Sequence, residues 1–137
     1  MYLAWFMTVT ALGEAATGLF LLVLPADVLA SLLGVKESGQ EALLLGRILG
    51  TALLAVGVGC WLARRDPGGP AQHGILAGVL IYDVAAAALL AYAGLVLKMT
   101  GLFLWPAVVL HTALAVWCVC ILWCPRGLTR SMAEKVK

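Results

Sequence analysis

The stretch Thr8–Pro25, TVTALGEAATGLFLLVLP, decides how this chain reads. It is apolar enough to belong to a membrane span, yet it holds a carboxylate, Glu14, near its middle. An ionised group at that depth costs about 2.5–3.5 kcal/mol even on lenient insertion scales. Three further apolar segments follow, and each carries one charged or imidazole side chain away from its ends: Arg47, Asp83 and His111. One such residue in each of four segments points to a cluster facing the interior of a helix bundle.

Composition supports the same class. Of 137 residues, 64% are hydrophobic and 12% charged, with a mean hydropathy of +1.04. Charged residues make up about a quarter of an ordinary globular chain. A net charge of +2 is too small to suggest nucleic acid as a partner. Each apolar run is long enough to cross a hydrocarbon core of about 30 Å as a helix, and none shows the alternation of a strand. Backbone polar groups must be satisfied internally in lipid, so helices are the expected form. The expected fold is an all-α integral membrane four-helix bundle. Its helices lie near 3–24, 39–63, 70–97 and 101–123, with a short interfacial helix near 27–33. Residues 1–124 would form the transmembrane domain and 125–137 a basic cytoplasmic tail. The first segment lacks a basic n-region, so it reads as a span and not as a signal peptide.

Local signals mark the boundaries. Asp27 is the expected N-cap of the short helix and Gly34 its stop. Ser38-Gly39-Gln40-Glu41 has the spacing of a capping box. Pro70, after the turn cluster RRDPGGP, is placed to open the third span, and Thr100 to cap the fourth. Arg64, Arg65, Arg126, Arg130, Lys135 and Lys137 fall on one side and only Lys36 and Lys98 on the other. The positive-inside rule then predicts both termini in the cytoplasm, in a bacterial cytoplasmic membrane. Gly46/Gly50 and Gly74/Gly78 are GxxxG pairs, which favour close helix packing and allow a homo-oligomer.

Helical spacing predicts inward stripes through Thr10, Glu14 and Thr17, through Arg47 and Thr51, through Asp83, and through His111 and Thr112. Glu14, Arg47, Asp83 and His111 are therefore the candidate ligand-binding or proton-relay residues, with Thr10, Thr17, Thr51 and Thr112 in support. Intramembrane ionisable residues commonly mark a pathway, a relay or a ligand counter-ion. Three functions fit: proton-linked or small-solute transport, binding of a small apolar or cationic ligand, and, less favoured, membrane-embedded acid–base catalysis. A structural subunit in which the charges only fix helix packing is the alternative. The expected partners are the lipid bilayer, such a ligand and a second copy of the chain, with no nucleic acid, and no cofactor is predicted. No catalytic motif such as HExxH or GxSxG occurs, so enzymatic activity is not the favoured reading. Cys60, Cys120, Cys124 and His73 could supply soft ligands to zinc or copper(I). Their spacing matches no known ligand set, and buried apolar cysteine is the better reading.

Two resemblances add to this. TALGEAATG resembles the first helix of the small multidrug resistance transporters, whose embedded glutamate exchanges protons for cationic drugs. That likeness covers about ten residues and implies such a role for Glu14. The whole chain, with GRILG in the second span and LWPAVVLH opening the fourth, is similar to small bacterial membrane proteins of DoxX-like build. This implies a four-helix architecture and no particular activity.

Overall fold

The computed structural model describes residues 2–66 and 68–123. Cys124 and the basic tail at 125–137 lie outside the described residues. Five helices follow one another: α1 (Tyr2–Val23), α2 (Pro25–Leu33), α3 (Gln40–Ala63), α4 (Pro70–Leu95) and α5 (Leu104–Trp123). All but α2 are long and apolar enough to cross a membrane. Their outward faces are apolar too, with Ile81 71%, Leu89 68% and Val109 66% exposed. So much apolar surface would drive aggregation in water and suits lipid. The four helices suggest an integral membrane protein.

Several boundaries differ from the sequence expectation for identifiable reasons. Helix α2 begins two residues early, because Pro25 at N1 has a fixed φ suited to a first turn. Asp27 sits inside that turn, where its charge complements the helix dipole, and Leu24 is the cap. Gly34 ends α2 as expected, at φ +75° with its N–H donating to Ala30 O. Helix α3 is capped by Gly39 with no side-chain hydrogen bond, so the Ser38–Glu41 box does not form. Pro70 opens α4, which stops at Leu95, two residues short of the expected 97. Thr100 does not cap α5, which starts at Leu104 instead of 101. Gly101 is occupied otherwise: a Cβ there would collide with the Leu32 carbonyl. The α4–α5 turn is thereby seated on α2, and Phe103 N–H donates to Ser31 O at 3.0 Å.

The spans pair as α1 with α3 and α4 with α5, with sparser contact between the pairs. At the α1–α3 crossing the backbones nearly touch. A Cβ on Gly18 would lie 2.6 Å from Gly50 O, and one on Gly50 2.6 Å from Gly18 O. Without a hydrophobic force between helices in lipid, such close backbone packing is what holds them together. Gly46 packs on Pro25, whereas Gly74 and Gly78 on α4 meet nothing within 4 Å. Of the two GxxxG pairs, only the first is used within the chain.

Packing is uneven along the bundle. At the end holding the start of α1, the end of α3, the start of α4 and the end of α5, a core forms around Phe6, Met7, Cys60, Leu76 and Cys118. Phe6 meets Trp117 edge to face at 5.2 Å between centroids, a pairing worth about 0.5–1.5 kcal/mol beyond burial. Cys118 Sγ–H donates to Leu76 O. Gln72, 1% exposed, accepts from Gly68 N–H at 2.8 Å and donates to Ala63 O, closing the loop beneath this core. The opposite half, where α2 lies, contains cavities. The ionisable side chains sit between the two.

Candidate ligand-binding site

Helix α1 buries Met7, Thr10, Ala11, Glu14, Gly18 and Leu21. This i, i+3, i+4 stripe carries Glu14 into the bundle because Gly18, one turn on, must face α3. From α4, Asp83 is fully buried. From α5, His111 Nδ1 lies 2.8 Å from Asp83 Oδ1, and with the proton on Nδ1 the imidazole donates to the carboxylate. Tyr82 stands edge-on to His111, with ring centroids 5.4 Å apart at 87°.

A cavity of about 110 Å³ joins these elements. Thr10, Glu14 and Thr17 of α1, Tyr82 of α4 and His111 of α5 line it. Among the described residues, two buried side-chain polar atoms have no hydrogen-bond partner: Thr10 Oγ1, in a residue of this cavity wall, and Asp83 Oδ2, the carboxylate oxygen that His111 does not bond. Unpaired buried polar atoms are uncommon in native interiors and call for a physical cause.

The polar cavity adjoins apolar space. A second cavity of about 310 Å³ shares Thr17, Tyr82 and His111 with it and is otherwise walled by residues such as Leu21, Leu32, Leu53, Ala86 and Leu90. A third, of about 550 Å³, lies between α1, α2 and the start of α5 and shares Thr17 and Leu110 with the first. Its rim includes the exposed Phe20 and Phe103. Thr17 lines all three. The arrangement is a small pocket with a few polar side chains on its wall beside larger apolar cavities next to α2, which is the form of many small-molecule sites.

The expected cluster is thus assembled from three helices and not four. Glu14, Asp83 and His111 come together, with Thr10 and Thr17 beside them. Arg47 does not join them; it is exposed. The reason is in α3 itself. Gly46, Gly50, Leu53, Gly57 and Cys60 form its buried face, since only glycine permits the close crossing with α1. Arg47 follows Gly46 and so points about 100° away. It lies about 10 Å along α3 from Gln40, from where a long cationic side chain can reach an interface. Thr51 is likewise exposed, with its hydroxyl donating to Arg47 O at 3.0 Å. Thr112 is exposed on the far side of α5, its hydroxyl donating to Val108 O at 2.8 Å. Tyr82 is the residue that sequence pattern alone does not single out. Its one signal is a phenol adjacent to the buried Asp83.

Of the soft-ligand alternative, Cys124 lies outside the described residues. Among the described residues no three His, Cys, Asp or Glu side chains are placed to hold a metal ion. Cys60 is buried, Cys120 is exposed, and His73 Nδ1 lies 2.8 Å from Gly69 O. Comparison with protein-family models, curated proteins and solved structures finds no match.

Proposed function

We propose that this chain is an intramembrane binding protein for an elongated apolar molecule with a small polar head. The head would occupy the pocket of Thr10, Glu14, Tyr82 and His111, and the chain would extend through the apolar cavities beneath α2. The observation that carries this reading is the adjacency of a small pocket bearing polar side chains to larger apolar cavities, all of them lined by Thr17. Cavity volumes of about 300–1,000 Å³ suit small organic ligands. The packed core fills one half of the bundle, and the cavities that adjoin Glu14 lie in the other. With both termini in the cytoplasm, as the basic residues favour, that half belongs to the outer leaflet, and the ligand would enter laterally past Phe20 and Phe103. A relay that crosses the bundle is less favoured, because the Phe6–Cys118 core closes the way beyond Glu14.

Thr17→Phe fills the junction of the three cavities from a position already open to them, so folding should be kept. Native mass spectrometry of protein released from a mild detergent should show wild type carrying an added mass that the Thr17→Phe protein lacks. Equal added mass on both proteins would place any bound molecule elsewhere and overturn the proposal.

A further inference from the structure

Resting on that reading, we infer that the head is an uncharged hydroxyl, so that the ligand class is a long-chain alcohol. The inference starts from the threonines whose hydroxyls are already satisfied. Thr8, Thr51 and Thr112 each donate to the carbonyl four residues earlier on their own helix, a bond open to any helical threonine. Thr10 makes no such bond. It is 2% exposed, and its Oγ1, in the wall of the small cavity, has no partner. A buried hydroxyl left that way calls for an occupant of the cavity that can bond it.

His111 leaves a second group open. Its Nδ1 is taken by Asp83 at 2.8 Å, and its other ring nitrogen, Nε2, bonds no described residue. The bond at Nδ1 orients the ring and leaves Nε2 for whatever fills the space beside it. The Glu14 carboxyl, 6% exposed, is in the same wall and accepts a hydrogen bond with or without its proton. Head groups then sort by what they offer. A hydroxyl donates and accepts, so it can answer Thr10 and an acceptor beside it at once, whereas an ether only accepts and an ammonium only donates. A charged head would also enter a space where His111 and Asp83, the single ion pair among the described residues, already match each other. Unpaired charge there is costly. Water would make the same bonds as a hydroxyl, and displacing it is favourable only to a group that reproduces them. The cavity of about 110 Å³ takes a head of a few heavy atoms. The adjoining one of about 310 Å³, walled by side chains such as Leu21, Leu53 and Leu90, takes the hydrocarbon chain.

The test compares three probes of one chain length, dodecanol, dodecyl methyl ether and dodecylamine, titrated calorimetrically into protein in phosphatidylcholine nanodiscs. Empty nanodiscs supply the partitioning background. At pH 7 the amine is charged, as a lysine side chain is. Wild type should bind dodecanol saturably, one per chain, and about tenfold or more tighter than the ether or the amine. Thr10→Val removes the hydroxyl and nearly keeps the shape. It should weaken dodecanol about threefold to tenfold, while the empty protein unfolds at no lower denaturant concentration than wild type, because that hydroxyl has no bond to lose. Ether or amine bound as tightly as dodecanol overturns the hydroxyl while leaving the binding cavity in place. A Thr10→Val protein that loses stability but keeps wild-type affinity makes Thr10 a packing residue and overturns the head's placement. Saturable binding of none of the three overturns the cavity reading as well. The wild-type comparison decides the matter even where the variant fails to accumulate.

Discussion

Gly18→Ala places a methyl at the α1–α3 crossing, where the backbones come nearest. The new Cβ would lie 2.6 Å from Gly50 O and 2.8 Å from Leu54 N. Carbon and carbonyl oxygen ordinarily meet at about 3.3–3.6 Å, so the helices must part by about 0.7 Å. A gap of that size forfeits a quarter to a half of each neighbouring contact, and the obstacle is backbone, which cannot rotate aside. Overpacking of this kind costs about 1–3 kcal/mol. Gly74→Ala is the matched control. It gains the same helix propensity but meets nothing within 4 Å. Equilibrium unfolding in mixed micelles, followed by far-ultraviolet circular dichroism, should therefore rank Gly18→Ala below Gly74→Ala by about 1–3 kcal/mol. Gly50→Ala should behave like Gly18→Ala, and the double variant should cost less than the sum, because the helices need to part only once. Stabilities of Gly18→Ala and Gly74→Ala within about 0.3 kcal/mol of each other would refute the crossing.

Other expectations follow from the site. Asp83→Ala or His111→Ala alone removes one partner of a buried pair and should cost about 3–5 kcal/mol in the same assay, while Asp83→Leu with His111→Leu should cost less than the two singles together. Strict additivity would show that the two side chains do not act as a pair. Arg47→Gln, an exposed change, should alter stability by no more than about 0.5 kcal/mol and leave the added mass seen by native mass spectrometry as in wild type. Loss of that mass would return Arg47 to the site.

The number of spans, their approximate limits and the inward placement of Glu14, Asp83 and His111 were legible in the sequence. Long apolar runs have few alternatives in lipid, and a lone ionisable residue in each has nowhere cheaper to go. Arg47 was misplaced because an apolar helix with glycines scattered around it has no dominant face. Which glycines meet a neighbour is settled by the partner helix, and Gly18 of α1 selects Gly50. The same ambiguity hid the difference between Gly46/Gly50 and Gly74/Gly78. The capping signals at Ser38 and Thr100 were local patterns overruled by contacts from elsewhere, most clearly the docking of Gly101 on Leu32. Cavities were not legible at all, since they arise from the looser packing between the α1–α3 and α4–α5 pairs. Tyr82 became visible only once that space was seen.

The central claim is that an apolar chain lies between the two helix pairs with its head at Glu14. The most direct test is methyl NMR of the protein in phosphatidylcholine nanodiscs with a dodecyl-chain alcohol spin-labelled along its chain. Leu53, 3% exposed, and Ala86 line the inner cavity, whereas Ile81 faces outward. Saturable broadening of Leu53 and Ala86 ahead of Ile81, reversed by excess unlabelled dodecanol, is the predicted result. Broadening that follows exposure to lipid alone, strongest at Ile81 and indifferent to competitor, would contradict it.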